Sequence, residues 1–142
     1  MTVTRNAESR PSGGERTSSQ RILVVDDEPY LRNIATRILL EEGYLVHEAA
    51  DGLEALEFIQ RAEISLDAVV SDIVMPRLDG VELLRRLALI EPSLPVLLMS
   101  AYGIDELAER GIAAPCAVLS KPFTPERLVA EVRRCIAERP ER

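Results

Sequence analysis

Lysine is all but missing from this chain: of its seventeen basic side chains sixteen are arginine, and Lys121 is the single lysine. Histidine is equally scarce. His47 stands alone inside "YLVHEAA", on a predicted strand, with no partner for metal or catalytic work, and reads as structural. The two cysteines, Cys116 and Cys135, have neither CxxC spacing nor a nearby histidine. That pattern reads as small buried hydrophobes rather than a disulfide or a metal pair. No apolar run approaches the length of a membrane span, and the N-terminus lacks the hydrophobic core of a signal peptide, so a cytoplasmic protein is expected. A basic excess is missing too. The net charge of −7 excludes a sequence-independent grip on nucleic acid.

What is present fits one domain of ordinary size within 142 residues. Residues 1–20, "MTVTRNAESRPSGGERTSSQ", hold almost nothing apolar, and a disordered tail is expected there. Alternating units follow over 21–139, with 140–142 as the C-terminal end. "RILVV" is a continuous branched run of the kind buried on both faces of a parallel sheet. Pro29 suits the first turn of a helix whose Leu31, Ile34, Ala35, Ile38 and Leu39 form one stripe, and Gly43 suits its C′ position. "YLVHEAA", "LDAVVS", "LPVLLMS" and "CAVLS" read as four further strands. Helices are predicted from Gly52 to Gln60, in "GVELLRRLAL" behind the cap Asp79, in "IDELAERG", and after the cap Thr124 with Pro125 at N1. Strands alternating with helices predict an α/β fold with a five-stranded parallel sheet and helices on both faces.

Ligands in such sheets bind beyond the C-terminal strand ends, where strand order reverses. The polar residues at those ends are Asp26 and Asp27 after the first strand, Asp72 after the third, Ser100 after the fourth and Lys121 after the fifth. Singly, each is ordinary: a cap, a turn residue, a surface charge. Together they are a chemical set. Three neighbouring carboxylates cannot all stay ionised without a positive charge beside them. Acidic oxygens without His or Cys suit a hard divalent cation such as Mg²⁺. An ammonium and a hydroxyl aimed at the same spot suit phosphoryl oxygens, and lysine, a compact point charge on a flexible stem, fits where a planar guanidinium is too wide.

The stretches "ILVVDDEPYLRNIATRILLEEGY", "DAVVSDIVMPRLDGVELL", "LPVLLMSAY" and "LSKPF" closely resemble the receiver domain of bacterial two-component response regulators, over Arg21 to about Arg139. The resemblance implies a flavodoxin-like, CheY-like fold with strand order 2-1-3-4-5. It implies a phospho-acceptor domain rather than an enzyme, assisting its own phosphoryl transfer and dephosphorylation. By that match Asp72 accepts a phosphoryl group from a histidine kinase, and Asp27, Asp72 and the Val74 carbonyl bind Mg²⁺ directly. Asp26 acts through a metal-bound water, Lys121 contacts the phosphoryl group, and Ser100 hydrogen-bonds it once transferred. A cis Lys121–Pro122 peptide is also implied. Pro76 and Gly80 are expected to meet the φ demands of the loop after Asp72.

Two departures stand out. Val118 occupies the place where receivers often carry a Tyr or Phe that swings inward on activation, and "GIAAPCAVLSK" is similar to receivers attached to hybrid sensor kinases. With the last helix expected to end near Arg139, no output domain is expected on this stand-alone chain. The signal would leave through the face formed by the fourth helix, fifth strand and fifth helix, to a partner protein, by relay to a histidine phosphotransfer protein, or by self-association. No membrane or nucleic-acid partner is expected. Competing readings fare worse on the residues. A phosphohydrolase wants Asp-x-Asp where this chain has Asp26-Asp27, and a flavin-binding module wants a Ser/Thr-rich loop where this chain has "DDEPY". A receiver-like module that binds partners without phosphorylation is kept open by Val118.

Overall fold

The computed structural model describes residues 3–5, 20–62, 64–101 and 115–139. In chain order the elements are β1 (Val3–Arg5), β2 (Arg21–Val25), α1 (Pro29–Glu41), β3 (Leu45–Ala49), α2 (Gly52–Arg61), β4 (Ala68–Asp72), α3 (Gly80–Ile90), β5 (Val96–Ser100), β6 (Ala117–Ser120) and α4 (Pro125–Glu138). The helix expected in "IDELAERG" lies outside the described residues. Among those residues no helix is long and apolar enough to cross a membrane.

One sheet of order β1-β3-β2-β4-β5-β6 organises the chain. The five strands β2 to β6 pair in parallel and keep the expected order, second-first-third-fourth-fifth. The sixth strand, β1, was not anticipated: it adds to the outer edge of β3 antiparallel, with Val3 opposite Glu48 and Arg5 opposite Val46. The expectation of disorder throughout 1–20 is corrected at these residues. A composition averaged over twenty residues hides three that need no core of their own, because the exposed backbone groups of an edge strand supply their partners. The remainder, 1–2 and 6–19, lies outside the described residues.

Alternation along the strands divides the core in two. Leu23, Val25, Val69 and Leu98 face α2 and α3, packing against Ala55, Leu56, Val81 and Leu84. Ile22, Val24, Val70 and Leu97 face α1 and α4, packing against Ala35, Leu39, Leu128 and Val132. The apolar stripe expected on α1 is wider than the face it buries. Leu31 and Ile34 remain 38% exposed, while Thr36 is fully buried in their stead.

The helix ends follow their local chemistry. Gly43, at φ 100°, closes α1 with its N–H on the Leu40 carbonyl while Tyr44 N–H reaches Leu39, the paired bonds of a Schellman stop. Asp51, Asp79 and Thr124 cap α2, α3 and α4 by accepting from the N–H of Glu54, Glu82 and Arg127.

The cysteine expectation is overturned. Cys116 and Cys135 are disulfide-bonded, with Cα atoms 6.0 Å apart. Their nineteen-residue separation spans one strand, one loop and most of a helix that folds back on that strand. Short-range spacing rules do not see a pairing made by tertiary return of the chain.

Gly80 opens α3 against the strand that carries Asp72. Its N–H donates to the Ile73 carbonyl at 2.8 Å. A β-carbon there would collide with the Asp72 carbonyl oxygen and stand 3.0 Å from the Ile73 Cα. Both neighbours are backbone, so a side chain can be accommodated only by moving β4 or α3. Gly80→Ala is therefore expected to destabilise the fold by roughly 1–3 kcal/mol, the usual scale of overpacking. Denaturant melts with an unchanged midpoint would contradict this packing.

Candidate functional site

The reversal of strand order falls between β2 and β4: from β2 the chain steps outward to β3 on one side and then to β4, β5 and β6 on the other. The C-terminal ends of β2 and β4 therefore border the crevice, with β5 and β6 beside it. Asp26 directly follows β2 and continues its ladder, its N–H donating to the Ala49 carbonyl at 3.2 Å. Asp72 is the last residue of β4, paired in register with Met99 on β5. Ser100 is the next residue along β5, and its register partner Ser120 immediately precedes Lys121. Parallel register thus carries four strand ends to one edge.

The side chains converge. Asp26, Asp27 and Asp72 each place a carboxylate oxygen within 4.8 Å of the others. Lys121 Nζ lies 3.1 Å from Asp72 Oδ1 and 3.9 Å from Asp26 Oδ2. The Lys121–Pro122 peptide is cis, as the resemblance implies. Ser100 is 1% exposed at the floor of the crevice, and its carbonyl accepts from Lys121 N–H at 2.8 Å. Val74, two residues beyond Asp72, is 62% exposed on the loop that rims the site.

Each acid has a distinct setting. Asp27 is open to solvent. Asp72 Oδ1 accepts from the N–H of Ile73 at 3.0 Å as well as facing Lys121, which fixes the carboxylate plane. Asp26 is 1% exposed, and its Oδ1 accepts from Glu28 N–H at 2.9 Å. Burial pushes the Asp26 carboxyl above the ordinary aspartate range, with the charges of Asp72 and Asp27 adding to the rise; the Glu28 N–H and Lys121 oppose it. Three carboxylates against one ammonium leave the crevice short of positive charge. An all-oxygen donor set of this kind fits a hard divalent cation.

Three residues that the sequence did not single out brace this site. Arg77, between β4 and α3, is the one described non-glycine residue at positive φ, 68°. The φ demand of the loop falls on it, not on Pro76 or Gly80 as expected. Its Nε and Nη2 donate to Asp51 Oδ2 and Oδ1 at 2.8 and 3.2 Å, tying the loop to the cap of α2. Burial raises the Asp51 carboxyl, but the Arg77 guanidinium and the Glu54 N–H outweigh it and hold the group below its usual range. Asp51 was legible as a cap, since Glu54 follows three residues later; an arginine in the left-handed region announces nothing. Arg32, on α1, donates from Nη1 to the Asp26 carbonyl at 2.7 Å and stands 3.6 Å from Glu48.

Several known proteins resemble this chain. A family model described as the response regulator receiver domain matches residues 22–133. The chain is 43% identical over 118 residues to the response regulator MprA of Mycobacterium ulcerans, covering 81% of this chain and 49% of that one. It is 39% identical over 121 residues to the sensor kinase CckA of Brucella abortus, covering 84% of this chain and 13% of that one. It therefore spans about half the length of one relative and a small part of the other. Among solved structures, the response regulator protein TrrA of Thermotoga maritima in complex with Mg²⁺ and BeF superposes with a TM-score of 0.72. The two are 30% identical, over 82% of this chain and 99% of that one. This chain belongs to the response regulator receiver domain family.

Proposed function

We propose that this chain is a signalling switch that takes a phosphoryl group from a histidine kinase onto Asp72, with Mg²⁺ bound beside it, and passes the signal on by protein–protein contact or phosphorelay. The observation that carries the reading is the 3.1 Å approach of Lys121 Nζ to Asp72 Oδ1, inside a cluster of three carboxylates. In a protein that does not transfer phosphoryl groups, an ammonium set among acids is merely a salt bridge. Here it sits at the switch point of a receiver fold, and TrrA carries Mg²⁺ and BeF in a structure of the same fold.

Asp26, Asp27 and Asp72 would hold the cation, with the Val74 carbonyl as a further protein ligand. When bound, the cation supplies charge neutralisation to the phosphoryl oxygens. The chain's own groups supply the rest. A carboxylate oxygen of Asp72 attacks phosphorus and becomes an acyl phosphate, while the histidine nitrogen leaves. Lys121, tethered by the β5–β6 ladder, stabilises the charge that spreads over the phosphoryl oxygens. Ser100 donates its hydroxyl to the transferred group, and the amides near Val74 and Ala101 complete the cradle. Hydrolysis by water at the same site returns the carboxylate, so the chain assists its own dephosphorylation without acting on a separate substrate.

The partners that follow are a sensor kinase or a histidine phosphotransfer protein on the donor side. On the output side we assign a protein docking on the face that includes β6 and α4. Such partners place the chain in the cytoplasm, where ATP-driven kinases act.

Acetyl phosphate with Mg²⁺ should add one phosphoryl mass to the wild type, and Asp72→Asn should take up none. Intact-mass spectra without an adduct on the wild type would reject phospho-acceptor function and leave the partner-binding module as the reading. Lys121→Arg is expected to fold normally while phosphorylation slows by roughly ten- to a hundredfold, less than the loss of a whole donor because the positive charge is kept. An unchanged labelling rate would show that lysine's shape is unimportant.

Asp26 yields a third expectation, with opposite signs for stability and metal binding. A carboxyl raised in the folded state favours folding when protonated, so its contribution is full below the unfolded pKa and is lost as pH rises through the folded one. Above the folded pKa the ionised group is a burden. Asp26→Asn should raise the melting temperature in EDTA at pH 7.5, narrow that advantage on acidification, and weaken Mg²⁺ binding measured by titration calorimetry. A lower melting temperature in EDTA would show that the charge stabilises the empty site.

A further inference from the structure

Cys116 immediately precedes β6, and Cys135 lies in the last turns of α4. They are the chain's two cysteines, so no other internal pairing competes with the bond between them. The ring they close contains the whole of β6, Lys121 and most of α4. Cys135 is buried, whereas Cys116 is half-buried at the strand's mouth. Arg134 spans the pair, with Nη2 donating to the Cys116 carbonyl at 3.0 Å and standing 3.7 Å from Cys135 Sγ. Arg134 is itself held by Glu131 at 2.8 Å and Glu138 at 3.0 Å, so it clasps the strand mouth to the helix beside the two sulfurs. Both residues also pack against the apolar cluster under α1 and α4. Once reduced, they would remain there as small hydrophobes, leaving no buried polar group stranded. One fold therefore accommodates both oxidation states.

We propose that Cys116 and Cys135 form a reversible dithiol–disulfide site that exchanges with small-molecule disulfides of the glutathione type. In the oxidising direction the Cys116 thiol loses its proton to solvent, and its sulfur attacks one sulfur of the disulfide, releasing one glutathione thiolate. The Cys135 thiol then gives up its proton to solvent, and its sulfur attacks the Cys116 sulfur, forms the intramolecular bond and releases the second glutathione. Two electrons leave the protein and reduce one glutathione disulfide to two thiols. The two protons lost by the cysteines balance those the glutathione thiolates take up. Closing the ring fixes the start of β6 to the end of α4, so the strand leading into Lys121 and the output face assigned above are tightened together.

The test equilibrates the full chain in glutathione buffers of graded reduced-to-oxidised ratio, alkylates it with N-ethylmaleimide and weighs it intact. The expected result is a passage from a doubly alkylated species to an unlabelled one joined between residues 116 and 135. The oxidised form should melt roughly 10 °C higher, the scale for closing a loop of this length in a domain of this size. In oxidising buffer Cys135→Ser should accumulate a glutathione adduct on Cys116, whereas Cys116→Ser, which keeps the buried thiol, should not. Double alkylation in the most oxidising buffer would overturn the proposal, and so would a bond that survives excess reduced glutathione under native conditions. Acetyl phosphate labelling of Asp72, scored in the same samples, tests the phospho-acceptor reading separately. Its failure would leave the thiol result standing.

Discussion

Acidic oxygens gathered at one sheet edge repel one another, and the ammonium of Lys121 is what this chain places against them. The rest of the architecture serves that balance. Asp26 and Asp72 come from the two strands that flank the reversal of order, the one place in an open parallel sheet where a crevice opens without any insertion. Lys121 has to reach them from two strands further out, and the β5–β6 ladder sets where its backbone sits: Ser100 faces Ser120, and Lys121 N–H holds the Ser100 carbonyl. A flexible four-carbon stem then spans the gap. One guanidinium in its place would bring a wider plane and five donors to a slot already bounded by two carboxylates. A bias toward arginine that governs sixteen other positions stops here, where a compact ammonium stands 3.1 Å from Asp72 Oδ1.

Holding charged groups in a poor electrostatic arrangement requires a backbone that cannot relax. Gly80 allows α3 to begin in contact with the Asp72 carbonyl, and Gly52 allows α2 to begin in contact with that of Leu78. The loop between β4 and α3 is thereby pinched between two helix starts. Arg77 finishes the clamp: its left-handed backbone turns the loop, and its guanidinium grips the Asp51 cap with two bonds. Positive φ on an arginine costs conformational energy. The bidentate pair offsets that cost and gives the cap of α2 a stake in where the loop lies. The acids are thus held by packing of main chain on main chain, which tolerates electrostatic discomfort better than side chains alone.

Much of this was legible beforehand because its signals are local. "RILVVDD" and "VVSD" mark buried strands that end in acids, and Asp79 and Thr124 mark caps, while the sheet order came only with the resemblance to receiver domains. What escaped was made by tertiary return. The Cys116–Cys135 bond joins a strand to a helix that doubles back on it, and β1 finds its partners on a distant edge. Arg77 escaped for another reason. Its conformation is imposed by the two helix starts around it, so propensity pointed to Pro76 and Gly80 instead. On α1 the periodicity marked Leu31 and Ile34 as core, yet the turn nearest the crevice leaves them at the surface, and burial begins one turn later at Ala35.

Val118 changes how a signal could leave the site. Receivers with an aromatic at this place have a ring whose swing reports on the strand beside it; here the side chain is a β-branched stub packed against the cluster under α2 and α3. It has one χ angle and no polar tip, so it has little to swing. The main chain offers a different route. Ser100 is buried at the end of β5, and its carbonyl holds the N–H of Lys121. A phosphoryl group that draws the Ser100 hydroxyl toward Asp72 would pull on the same residue whose carbonyl anchors β6. Displacement would then pass through the ladder into the loop at Pro122 and on to the start of α4, with no ring required. In such a route, the stiffness of β6 and α4 would determine how much of the pull arrives.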